Sequence, residues 1–152
     1  MFENILVRDW MTSDVITVPS DTPITTAHQI MKKNKIRRLP VVDHDKLVGI
    51  VTIGDVREAS PSAATTLSIW ELNYLWSQLK VADVMTRRVM TVGPNEPLIY
   101  AAKIMLDHKI SGVPVVENDQ LVGVITESDI FRMLVRSYDS KTDTQPTPEV
   151  KA

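Results

Sequence analysis

Two short motifs carry side chains able to do chemistry. Gly49, Thr52 and Asp55 are spaced as Gly-apolar-apolar-Thr-x-x-Asp, and Gly123, Thr126 and Asp129 repeat that spacing. A carboxylate can accept hydrogen bonds from both cis hydroxyls of a ribose. A Thr hydroxyl beside the free N–H groups of a helix start can hold a phosphate or ribose oxygen. Glycine lets a ligand or another backbone approach closely. The same Thr-x-x-Asp is close to a capping box, which serves only the helix's own N–H groups, so the motif alone leaves both roles open. Upstream of its first copy lies Ile36-Arg37-Arg38-Leu39-Pro40. Two adjacent guanidinium groups at the mouth of a strand can bind phosphate with paired donors, or they can be plain solvated charges.

Other chemistries find no support. His28, His44 and His108 fall on a helix, in a turn and at a helix end, with no H-x-x-x-H or HExxH spacing. Without cysteine, thiolate zinc sites and disulfides are excluded, so no metal is expected. Neither a G-x-S-x-G elbow nor a G-x-x-x-x-G-K-[ST] loop is present. Asp55 and Asp129 sit in copies of one motif and do not read as a paired acid and base. The chain is expected to be non-enzymatic. A net charge of −2 gives no reason to expect nucleic acid or an anionic membrane. No apolar run approaches a membrane span, the N-terminus lacks a secretory apolar core, and the cysteine-free composition fits a reducing cytoplasm.

The elements that must position these residues come twice. Residues 7–57 align with residues 81–131 without a gap at an offset of 74, and 22 of the 51 aligned pairs are identical. Such self-similarity implies duplicated building blocks and related ligand sites. Each unit is small for an independent core, so the two are expected to pack on each other along matching apolar faces. Val15-Ile16-Thr17-Val18 and Val89-Met90-Thr91-Val92 read as short strands. Pro23 and Pro97 then mark first helical positions. Ile24, Ala27, Ile30 and Met31 follow at helical spacing, matched by Leu98, Ala101, Ile104 and Met105. Two strands joined by a polar turn come next, and a second helix starts near Asp55 or Asp129. Pro40 and Pro114 lack a ladder donor, so they belong at a strand start or on an edge.

Between the repeats, residues 59–66 have loop composition. Ser68 and Glu71 fit a capping box, and a helix continues through Leu72, Leu75, Trp76 and Leu79. With Trp70 and Tyr74 its apolar residues cover more than one stripe; one face is expected on its own module, and the surplus is either buried there too or makes a second contact such as another subunit. The tail from about Ser140 has no apolar periodicity and is expected to be disordered.

In combination, D-V-M-T-x-x-V-x-T-V, a helix, I-x-x-x-P-V-V and L-V-G-h-h-T-x-x-D (h apolar), in tandem, resemble a pair of CBS domains over roughly residues 4–136. The linker around Ile69-Trp70-Glu71-Leu72 further resembles the bacterial acetoin-utilisation type, whose usual ACT domain this sequence lacks. The resemblance implies an α+β fold of two β-α-β-β-α repeats packed about a pseudo-twofold axis, with a helical linker. The units would be residues 4–58, a linker 59–80, residues 81–137 and a tail 138–152. It also implies two clefts that bind adenosine-containing ligands. The first would combine Thr12, Val15, Ile16, Ile36, Arg37, Arg38 and Pro40 with Thr126, Ser128 and Asp129. Apolar side chains would sandwich adenine, backbone groups near Ile16 and Ile36 would read its edge, Asp129 would hold the ribose, and the arginines would face the phosphates. The second would combine Thr86, Val89, Met90, Ile110, Ser111, Gly112 and Pro114 with Thr52 and Asp55. There Ser111-Gly112 replaces the arginine pair and Gly54 the serine. The first cleft is thus expected to take a phosphorylated nucleotide, and the second to be empty or to prefer an uncharged adenosyl group.

On this reading the chain is a regulatory sensor of AMP, ADP or ATP. It needs no cofactor beyond that ligand, forms a homodimer and passes its signal to an unidentified effector protein. The alternatives are an interaction module with vestigial clefts, or a sensor of another adenosyl ligand such as S-adenosylmethionine or NAD(H). Asp129→Ala and Arg37→Ala are expected to weaken binding and leave the fold intact.

Overall fold

A computed structural model describes residues 2–60 and 67–142. The chain runs through a 3-10 turn (Val7–Asp9), α1 (Ile24–Asn34), β1 (Arg38–Asp43), β2 (Lys46–Thr52), α2 (Ile53–Ala59), α3 (Ile69–Gln78), α4 (Val81–Val84), α5 (Leu98–His108), β3 (Gly112–Glu117), β4 (Gln120–Thr126) and α6 (Glu127–Thr142). The two sheets are antiparallel hairpins, β1 with β2 and β3 with β4. Their turns explain the register. His44 and Asp45, like Asn118 and Asp119, have positive φ, the condition for the two-residue I′ turn that matches strand twist. Asp43 therefore pairs with Lys46, and Glu117 with Gln120.

Helical spacing buries Ile24, Ala27 and Met31 on α1, and Leu98, Ala101, Ile104 and Met105 on α5. Both helices end on a lysine in the left-handed conformation, Lys35 and Lys109, which aims the chain into the next strand. Their starts differ slightly from expectation. Pro23 and Pro97 are N-caps rather than first helical residues. The first helical N–H groups are satisfied from elsewhere: Ile24 donates to the Leu79 carbonyl at 2.9 Å and Leu98 to that of Ile5 at 2.7 Å.

These bonds belong to an exchange of segments between the repeats. The segment leading each repeat completes the other repeat's core. Val7 lies among Val92, Leu98, Ala101, Val113 and Ile125, whereas Val81 and Met85 lie among Val18, Ile24, Leu39, Val41 and Val51. Beyond Val7, Thr12 exchanges backbone hydrogen bonds with Val124 at 2.9 and 3.0 Å, as Thr86 does with Ile50. The two glycines of the repeated motif make room for this crossing. A Cβ on Gly49 would lie 2.6 Å from Met85 Sδ and 2.9 Å from the Thr86 carbonyl oxygen, and one on Gly123 equally close to Met11 Sδ and the Thr12 carbonyl oxygen. The close approach is thus made by backbone of the other repeat.

Residues 15–18 and 89–92 are not strands. Each contributes one parallel bridge, Val18 to Val41 and Val92 to Val115, and the residues just before it border a cavity, where ladder pairing would close the space. Pro40 is the third residue of β1, whose outer edge carries only that bridge, so its missing donor costs no ladder bond. The Ser68–Glu71 capping box forms as expected, with Ser68 N to Glu71 Oε2 at 2.8 Å. Trp76 and Leu79 pack on the first core. Residues 61–66 of the expected loop lie outside the described residues. So does the tail from 143, since α6 carries on past the expected boundary to Thr142.

Gly49→Ala and Gly123→Ala should each lower stability by about 1–3 kcal/mol in urea denaturation, because a backbone oxygen cannot step aside. A pH effect follows from Asp43, whose carboxylate accepts hydrogen bonds from Ser20 Oγ at 2.5 Å and Ser20 N at 2.9 Å. The Ser20 hydroxyl and then its N–H hold the Asp43 carboxyl below its usual pKa. A folded pKa below the unfolded one gives stability present at neutral pH and lost as pH falls through the folded value. The melting difference between wild type and Ser20→Ala should therefore shrink as pH is lowered below the ordinary carboxylate range.

Candidate functional site

Two of the cavities between the repeats border the Thr-x-x-Asp motifs. In the first, of about 470 Å³, one wall is Thr12, Asp14, Val15, Ile16, Lys35, Ile36, Arg37, Arg38 and Pro40; the other is Ser111, Val124, Thr126, Glu127 and Ser128. Pairing of Thr12 with Val124 sets Thr12 close to Thr126 across the repeat boundary. Ile16 makes no backbone–backbone hydrogen bond among the described residues, so its N–H and C=O stay open to a ligand. The Ile36 N–H is committed to the Met31 carbonyl at 3.0 Å. The second cavity, of about 380 Å³, gathers Thr52, Thr86, Val89, Met90, Ile110, Ser111, Gly112 and Pro114. Both volumes lie in the range of small-molecule sites.

All the expected residues line their clefts except the two carboxylates. Asp129 is 3% exposed. Its Oδ2 accepts from Thr126 N at 2.9 Å and Thr126 Oγ1 at 3.0 Å, and its Oδ1 accepts from Arg132 Nη1 at 2.6 Å. Asp55 closes a capping box with Thr52, at 2.8 Å to Thr52 N and 3.1 Å from Asp55 N to Thr52 Oγ1. Both aspartates cap helices. Among the described residues Asp129 Oδ1 accepts only from Arg132, whose side chain is 63% exposed, and a second lone pair remains for another donor.

Charge is distributed differently from expectation. Arg37 and Arg38 line both cavities, so Ser111-Gly112 does not leave the second without guanidinium groups. Arg88 and Lys109 add to the second, whose lining holds no acidic residue, whereas Asp14 and Glu127 face the first. The repeat alignment carries the signal: Asp14 aligns with Arg88, Glu127 with Ile53 and Lys35 with Lys109. Arg38 crosses to the other repeat and donates from Nη2 to Ser111 Oγ. Burial pushes its guanidinium below its ordinary pKa, opposed by Glu127 and reinforced by Arg37.

The family model of the CBS domain matches twice, at residues 7–62 and 81–136. Among curated relatives, a homoserine O-acetyltransferase of Methanococcoides burtonii is 37% identical over 130 residues, covering 84% of this chain and 24% of the enzyme. The chain thus spans about a quarter of the length of that relative. The CBS domain pair of protein MJ0100, in complex with 5-methylthioadenosine and S-adenosyl-L-methionine, superposes with a TM-score of 0.72 at 35% identity, covering 87% of this chain and 97% of that one. A putative acetoin utilization protein of Vibrio cholerae gives 0.76 at 31%, with 93% and 98% covered. CBSX2 in complex with AMP gives 0.74 at 28%, with 88% and 98% covered.

Because Asp129 is a buried cap, Asp129→Ala strands the Thr126 N–H and should cost about 1–3 kcal/mol of stability in urea denaturation. The fold is therefore not indifferent to this substitution. Asp129→Asn keeps an acceptor for Thr126 and should cost less.

Proposed function

Since the chain belongs to the CBS-domain family, matched once in each repeat, we propose that it is a regulatory module binding an adenine nucleotide (AMP, ADP or ATP) between its repeats. The observation that carries this is the first cavity, whose lining combines apolar and basic side chains. Val15, Ile16, Ile36 and Pro40 supply the apolar part, and Lys35, Arg37 and Arg38 the basic one. A flat heteroaromatic ring suits the apolar walls, and paired guanidinium groups suit phosphate. The open backbone groups of Ile16 can read an adenine edge, and Ser128 and Thr126 offer hydroxyls from the other repeat. AMP bound to a related pair supports the same ligand class.

The ligand touches residues of both repeats at once, so it favours whichever mutual arrangement it binds more tightly. That is signalling by population shift, with the output passed to a separate effector protein. A homodimer accords with the large exposed apolar residues on α3 and α6, Trp70, Tyr74, Phe131 and Tyr138 among them. One observation favours a second ligand for the first cleft: Asp14 and Glu127 can accommodate a cationic adenosyl compound such as S-adenosylmethionine, which a related pair binds.

A thermal-shift series with AMP, ADP, ATP, S-adenosylmethionine and NADH at millimolar concentration separates these readings, since a ligand of the folded state raises the melting temperature by mass action. The phosphorylated adenosines should stabilise most. Arg37 is exposed, so Arg37→Ala should keep the melting point of the free protein and weaken AMP roughly tenfold in titration calorimetry, the size of one charge-assisted hydrogen bond. No stabilisation by any of the five contradicts the nucleotide reading and favours a protein-interaction module.

A further inference from the structure

The arginine pair and its counterpart in the second repeat, Ser111-Gly112, are aligned positions that meet across the repeat boundary. Arg38 lines both cavities. Its guanidinium lies against Gly112, where an added Cβ would come 2.5 Å from Nη1 and 2.8 Å from Cζ, and donates to Ser111 Oγ. Gly112 is buried. With an arginine at 112, two guanidinium groups would compete for one place. The repeats are asymmetric here, with one cation seated where Gly112 leaves space. We propose that Arg38 is a donor shared by the two clefts, so that anionic ligands occupy them with negative coupling: phosphate in one cleft engages the guanidinium and weakens the other cleft for phosphate.

The chemistry supports sharing. A half-buried guanidinium held by one neutral hydroxyl retains unused N–H donors, and a charge-assisted bond to phosphate is stronger than its bond to serine. The side chain moves at little cost, because it meets Ser111 and Gly112 only through its flexible far end. The inference rests on the nucleotide reading above and specifies how that site is regulated.

The test isolates each cleft. Ile16 and Met90 are aligned, exposed and on the walls of opposite cavities, so Ile16→Trp fills only the first slot and Met90→Trp only the second. Calorimetric titration with AMP should show one site in each single-cleft protein. Arg38→Ala should weaken both single-cleft proteins by roughly tenfold. In the protein with both clefts open, the second AMP should bind several-fold more weakly than it does to the weaker single-cleft protein, and the Arg38→Ala background should abolish that penalty. Gly112→Ala, which displaces the guanidinium but keeps its charge, should also reduce it. An Arg38→Ala effect in only one single-cleft protein overturns the sharing. Stepwise affinities equal to those of the isolated clefts overturn it as well. A penalty that survives Arg38→Ala comes from another source, such as Arg37, which lines both cavities too, or repulsion between the phosphates, and likewise overturns it. AMP binding to none of these proteins fails the nucleotide reading itself, and the coupling with it.

Discussion

Everything in this molecule depends on the exchange of leading segments between its repeats. Val7 is buried in the core of the second repeat and Val81 in that of the first. Neither core is complete without the other's segment, so each small unit obtains from its neighbour apolar contacts that its own length cannot supply. The crossing is tight because Gly49 and Gly123 bring strand backbone against Thr86 and Thr12. The repeats are thereby fixed by backbone hydrogen bonds as well as by apolar contact.

The clefts are a consequence of that crossing. Once Thr12 is tied to Val124, the residues after it must run along the face of the other repeat before Val18 returns to pair with Val41. Val15 and Ile16 are left on a cavity wall with few backbone commitments. The opposite wall is the start of α6, whose first N–H is held by the Ser111 carbonyl at 3.1 Å. Each cavity thus takes its walls from both repeats. A ligand that fills it contacts both and acts directly on their relative placement, without needing a relay through either core.

Much of this was legible in the sequence because the information was local or repeated. The duplication was read from the alignment, the hairpin turns from Asp43-His44-Asp45 and its copy, and the linker cap from Ser68 and Glu71. The wall residues of both clefts were implied by the resemblance to a CBS pair, carried over motif by motif. What escaped were facts about space. Val7 and Val81 look like any other apolar residue, and nothing in their neighbours says whose core they enter. Residues 15–18 have strand composition, yet cavity and bridge leave them only one pairing. Thr-x-x-Asp suited a cap and a ribose site alike, and only burial and the bond from the Thr126 N–H show that Asp129 serves as a cap. The reach of Arg38 to Ser111 could not be anticipated either, because a long side chain crosses a boundary that an alignment treats as separating equivalents.

Backbone and methyl NMR of the protein titrated with AMP tests the central claim most directly. Signals of Thr12, Ile16 and Ile36 should shift together with those of Thr126 and Ser128, at the same ligand concentrations, because one site is made by both repeats. Shifts confined to residues of a single repeat, or scattered over its outer helices, would contradict a ligand cleft built from the two.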